Sequence, residues 1–196
     1  MPRNNLNLSA VIDAATKLAD ADGLQQLSIK KLADILDVKP PALYNHVDSL
    51  ANLQSELALQ GLSMLRERLL KAAVGKSKHD ALQAAGRAYL AFAKEHPGLY
   101  EATQYVNAWQ SDKRVTTASE EVLAVIDTII EPYHFNEADR IDVIRAFRGL
   151  CHGFASLDAG HGFGNPLVDS ATSFAAALDM LLEGIDRIYS RKNTDG

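Results

Sequence analysis

Tyr44, Asn45 and His46 place a phenol, a carboxamide and an imidazole in succession between two apolar residues, Leu43 and Val47. A phenol and an imidazole both donate hydrogen bonds to an anionic oxygen such as a phosphate. A carboxamide can pair bidentately with adenine on its major-groove edge. Blander roles are open to each: Tyr44 packed into a core, His46 set at a helix C-terminus where a cation is favoured, Asn45 simply solvated. Just upstream, Pro40, Pro41 and Ala42 offer apolar atoms that could touch thymine methyl groups, or could only rigidify the start of a helix. Catalytic chemistry finds no comparable set. HExxH, P-loop, GxSxG and CxxC patterns are all absent, and GHGFG at residues 160–164 follows a helical pattern rather than a strand, so it is no dinucleotide fingerprint. His152 lacks a second ligand three or four residues away, so no metal site is expected, no cofactor, and no enzyme.

The elements that must carry these side chains are legible around them. Ser28 is a residue type that caps a helix start, and Ile29, Leu32, Ala33 and Leu36 follow at helical spacing. Asp37-Val38 supplies a turn, with the aspartate tolerant of turn geometry and the valine placed in the angle between two helices. Lys39 precedes a proline and is pushed out of the helical region, whereas proline suits a first helical turn. A second helix is therefore expected over 39–47, and Asp48-Ser49 caps a third. Two short helices joined in this way make a helix-turn-helix, whose second helix enters the DNA major groove.

The pattern LAD-x3-V-x4-LY-x-HV-x2-L-x2-L, carried by Leu32, Ala33, Asp34, Val38, Leu43, Tyr44, His46, Val47, Leu50 and Leu53, resembles the DNA-binding head of TetR-family transcriptional regulators. The string from Pro41 to Val47 is closer to the tetracycline-repressor branch than to the average member, which has Phe after the His. The resemblance implies that Tyr44 and His46 bond DNA phosphates and that Lys30 contacts base or phosphate, against the default of a solvated lysine. Lys39 stands at the entry to the same helix. One departure is visible: Leu50 stands where the family has a lysine at the start of its fourth helix, which removes one phosphate contact. Farther on, Arg148, His152-Gly153-Phe154, Gly162-Phe163-Gly164, Phe174 and Gly184 resemble the C-terminal ligand and dimer domain of the WHG type, with Cys151 in place of a frequent aromatic. The implied protein is a homodimer, most simply a repressor, that reads a palindromic operator and is released by a small-molecule inducer. The last two helices would form the dimer interface, with Phe154, Phe174, Leu178, Leu181, Leu182 and Ile185 on the apolar face.

The rest of the chain fits an all-α fold of a three-helix head (1–48) and a six-helix ligand and dimer body (49–190), with residues 49–74 as connector and 191–196 as a frayed tail. Length (196 residues) and 47% hydrophobic content allow one core plus a small module. The first helix carries Leu8, Val11, Ile12, Ala15, Leu18 and Ala19 and stops at Gly23, where a left-handed cap is expected. Body helices are expected over 80–94, 97–106, 113–130, 137–159 and 171–190. Aromatic residues gather in these helices, and Phe92, Tyr105, Trp109, Phe147 and Cys151 are the candidates for an inducer pocket, though core packing is the alternative for each. Neither a secretory signal nor a stretch of roughly 18 apolar residues is visible, so a cytoplasmic protein is expected. The single cysteine agrees with a reducing compartment. Net charge of −5 is awkward for a DNA binder, and residues 1–48 themselves hold five basic and six acidic groups. Lys30, Lys31 and Lys39 flank the groove-facing element, so a modest, dimer-dependent affinity is expected. Weakened charge leaves a helical protein-interaction module as an alternative, and a small-molecule enzyme as a remoter one.

Overall fold

The computed structural model describes residues 6–104 and 112–194, with side chains up to residue 188. These residues form nine α-helices and two 3-10 turns and contain no strand. None of the helices is long and apolar enough to cross a membrane. Contacts divide the chain into two compact units, the first comprising residues up to 64 together with 96–119, the second 65–95 together with the remainder from 120.

In the first unit, α1 (Leu8–Asp22) begins at Asn7, whose side chain accepts from the Ala10 N–H. It buries Val11, Ala14, Ala15, Leu18 and Ala19 along one stripe, the helical period expected of an amphipathic segment. The Gly23 N–H bonds back to the Ala19 carbonyl, but with φ 92° and ψ 151° the residue is extended rather than left-handed helical. That backbone region is nearly closed to residues with a Cβ, so glycine is required there for a different reason than the expected cap. A 3-10 turn (Leu24–Gln26) leads to α2 (Ile29–Ile35), capped by the Ser28 hydroxyl accepting from the Lys31 N–H at 3.3 Å. Asp37 then takes a left-handed conformation, φ 52°, and α3 (Pro40–Leu43) follows. This helix is four residues long, shorter than the expected 39–47, because residues 44–46 continue as a turn in which the His46 N–H bonds the Leu43 carbonyl.

Ser49 caps α4 (Leu50–Ala73) by accepting from the Asn52 N–H at 3.0 Å, while the Asn52 side chain accepts from the Asp48 N–H. This reciprocal arrangement satisfies two orphan donors at once. Leu53, Leu57, Leu65 and Leu69 are buried along α4. The first unit is completed by α6 (Pro97–Gln104) and the start of α7 (Lys113–Ile130). There Arg114 reaches both Asp112 at 2.7 Å and Glu56 of α4 at 2.9 Å. The guanidinium beside it holds Asp112 below the usual carboxylate range.

In the second unit, α5 (Lys78–Glu95) and α9 (Ser170–Thr194) run antiparallel. His79 pairs with Asp186 at 3.3 Å, Gln83 with Asp179 at 2.9 Å, and Gly86 lies under Leu178 and Phe174. A Cβ on Gly86 would stand 2.8 Å from Leu178, so the absence of a side chain sets this close approach. After α7 comes a 3-10 turn (Glu131–Tyr133), whose Tyr133 hydroxyl donates to Asp186 at 3.0 Å. One carboxylate thus ties three elements. α8 (Glu137–Ala159) starts at an Asn136 cap and buries Val143, Phe147, Cys151 and Ala155. α9 continues to Thr194, so the helix overruns the tail expected from residue 191.

Candidate nucleic-acid interface

Leu43 and Val47 are buried and anchor α3 and its following turn to the first unit's core. This fixes what the same stretch turns outward. Pro40, Pro41 and Asn45 are exposed, Ala42 and His46 are half-buried, and Tyr44 is 53% exposed. A tyrosine serving as core would be buried, so that role for Tyr44 is ruled out. Lys30 and Lys39 are exposed as well, and none of Lys30, Lys39, Tyr44, Asn45 and His46 has a side-chain hydrogen bond or ion pair to another described residue. Lys31 differs, because its ammonium is held 3.2 Å from Gln26 and 3.9 Å from Asp22. Donors without internal partners on one short, anchored segment can bond an external anion without first breaking a bond. Leu50 is half-buried at the start of α4.

A second set of residues, to which the sequence analysis assigned no role, fastens α6 to α1. Asp20 Oδ1 accepts from the N–H groups of Gly98 (2.8 Å) and Leu99 (3.1 Å), and its other oxygen faces His96 Nδ1 at 3.4 Å. From the opposite direction, Glu101 of α6 accepts from the Leu24 N–H at 3.0 Å. Gly98 lies so close to the Ala19 backbone that an added Cβ would overlap its carbonyl. On the other side of α6, a Cβ on Gly61 of α4 would stand 2.7 Å from Thr103. Glycine at 61 and 98 was the only signal available in the sequence, and it names no partner.

The pocket candidates separate. Phe92, Phe147 and Cys151 are fully buried, with Arg68 lying 5.7 Å from the Phe92 ring centre. Burial pushes the Cys151 thiol up to about 12. Tyr105 and Trp109 lie outside the described residues. Two clefts of the second unit are lined by other side chains, one between the end of α4 and α5, the other between α5, α9 and the end of α8. Four of the six expected dimer residues, Phe174, Leu178, Leu182 and Ile185, are already buried within a single chain. Within the second unit, Phe174 and Leu178 pack against Gly86 of α5. Leu181 is half-buried, and Phe154 is half-buried between the rings of Phe163 (5.2 Å) and Phe174 (5.3 Å).

A family model described as "Tetracyclin repressor-like, C-terminal domain" matches residues 82–181. The uncharacterised HTH-type transcriptional regulator YobS of Bacillus subtilis strain 168 is 32% identical over 193 residues, covering 98% of this chain and 98% of that one. The HTH-type transcriptional repressor DrrR1 of Streptomyces coeruleorubidus is 27% identical over 154 residues, which is 79% of this chain and 54% of the relative. Among solved structures, a TetR variant from Acinetobacter baumannii AYE in complex with minocycline superposes with a TM-score of 0.71 at 21% identity, covering 94% of this chain and 99% of that one. At that identity the likeness concerns the fold.

Proposed function

Because this chain belongs to the TetR family of transcriptional regulators, we propose that it is a homodimeric repressor that reads a palindromic operator and lets go of it when a small molecule binds. The observation that carries the DNA reading is the two-sidedness of residues 39–47: Leu43 and Val47 buried, Tyr44 and Asn45 outward with unengaged donors. Tyr44, His46, Lys30 and Lys39 hold phosphate oxygens and set the register, while Asn45, Ala42 and the rings of Pro40 and Pro41 meet base edges. Such an assignment explains why a phenol remains exposed on a surface with no use for it in folding. A relative bearing the name of repressor supports the direction of control, and a neighbour in fold solved with minocycline supports a small-molecule effector.

Dimerisation falls to the outer faces of α8 and α9. On α9 these are Met180 (72% exposed), Leu181, Gly184 and Ile188, and on α8 they include Gly149, His152 and Gly153. An added Cβ at Gly149, Gly153 or Gly184 would meet nothing within 4 Å, so three small residues on this surface leave room for a second backbone. Two heads then read half-sites about one helical turn, or a multiple, apart. An inducer shifts the equilibrium only through unequal affinity for the DNA-competent and incompetent arrangements.

Selection from a random duplex pool, followed by shift assays at moderate salt, tests the reading. The expected result is an enriched palindrome bound by the wild type and lost with Tyr44→Ala. Equal, weak retention of every duplex by both proteins would overturn it.

A further inference from the structure

A cleft of about 330 Å³ opens on the second unit between α5 and α9. Its floor is apolar: Phe174 is buried beneath it, and Leu90, Ala91, Ala171 and Ala175 form its walls. Its charged groups are Arg87 and Lys94 on α5 and Asp158 at the end of α8. The antiparallel pairing of the two helices orders them. His79 faces Asp186, Gln83 faces Asp179, and Gly86 faces Phe174 and Leu178. Continuing that register puts Arg87 beside Ala175, and Lys94 two turns, ~10 Å, along at the Ser170 end. At that end Asp158 accepts a 2.6 Å hydrogen bond from the Ser170 hydroxyl, so the cleft's carboxylate lies at the Lys94 end, with no ion pair formed between the two. At the other end Arg87 is exposed and has no ion pair or hydrogen bond to another described residue. The cleft therefore has a cationic end, an apolar middle and a mixed, hydroxyl-bearing end.

We propose that this cleft binds a compact apolar carboxylate, its charge on the Arg87 guanidinium and its hydrocarbon body over Phe174 between Leu90, Ala91 and Ala171. The planar guanidinium fork matches a carboxylate bidentately and is only weakly hydrated. Volumes near 300 Å³ are the lower limit for ligand pockets, which restricts the occupant to about a dozen heavy atoms. Medium-chain alkanoates and bicyclic aryl carboxylates meet both demands. None of Phe92, Phe147 and Cys151 lines this cleft, so the site is separate from the interior residues considered above. As a binding site it stands without the operator reading; as the inducer site it rests on that reading.

The test is isothermal titration of the full-length protein with octanoate and 2-naphthoate, each beside its neutral amide, in the absence of DNA. Carboxylates should bind at least tenfold more tightly than their amides. Arg87→Gln should remove that preference and leave amide binding unchanged, Lys94→Gln should shift carboxylate affinity less than threefold, and Ala91→Trp should abolish binding of both. All three positions are exposed, so melting temperature should hold. The proposal is overturned by amides binding as well as acids, by indifference to Arg87→Gln or Ala91→Trp, or by no binding up to millimolar ligand. Binding that appears only on dilution to monomer would overturn it too, since a second copy would then be the occupant. Release of the selected operator by octanoate is measured separately: binding without release leaves the site standing and removes only its role as inducer site.

Discussion

Tyr44 presents its ring to solvent, so its hydroxyl can be removed at little structural cost. Tyr44→Phe is expected to leave the melting temperature unchanged while weakening operator binding about tenfold or more, the scale of a hydrogen bond to a charged group. A shift assay beside a thermal melt separates the two effects. Cys151 makes the opposite case, buried within the second unit with its thiol raised to about 12. The native protein should resist iodoacetamide at pH 8 and become fully alkylated in denaturant, as mass spectrometry would read. His152 is lowered from its ordinary value, first by burial and then by the Arg148 charge. Its folded form therefore binds a proton less readily than its unfolded form, so stability rises with pH. The contribution is present above the unfolded value near 6.5 and is lost as pH falls through it towards the lower folded value. The side chain is only half-buried, so the effect should be small, seen as a lowering of melting temperature between pH 7 and 5.5 that His152→Gln reduces.

Among elements, α6 does most to tie distant parts of the chain together, because one carboxylate, Asp20, takes two of its N-terminal donors. Gly98→Ala should destabilise by about 3 kcal/mol, since overpacking here pushes backbone against backbone. Asp20→Ala should cost about 2 kcal/mol by leaving those donors unpaired. Urea melts would check both, and equal stability of the Gly98→Ala variant would contradict the close approach. The helices around residues 28–53 were readable in the sequence because their causes are local: the Ser28 cap, the positive φ at Asp37, the proline pair. Asp20 and Gly98 could not be paired by reading, since 77 residues intervene between them and neither has a distinctive pattern. α9 shows a third case. Its apolar period was plain in Phe174, Leu178, Leu182 and Ile185, but a period does not say whether the face meets its own chain or a partner. Only packing shows that Phe174 and Leu178 of this face lie against Gly86. The shortness of α3 was hidden because the apolar spacing of Leu43 and Val47 suits a helix and a helix-like turn alike.

For the whole molecule, net charge of −5 places the burden of DNA affinity on few cations. In the proposed dimer Lys39→Ala removes two, so the slope of log affinity against log salt should fall by about two. Met180→Asp should shift the dimer towards monomer in sedimentation, and operator binding should fall with it. The division of contacts has a further consequence for engineering. Residues 96–119 cluster with the N-terminal portion, not with the helices on either side of them in the sequence. Consider a hybrid regulator cut once, within α4. In this chain a single crossover there would separate α1 from α6 and pair Asp20 with a foreign α6. A transferable reader is therefore two segments, with 96–119 carried along, and chimeras with two crossovers should fold where those with one do not.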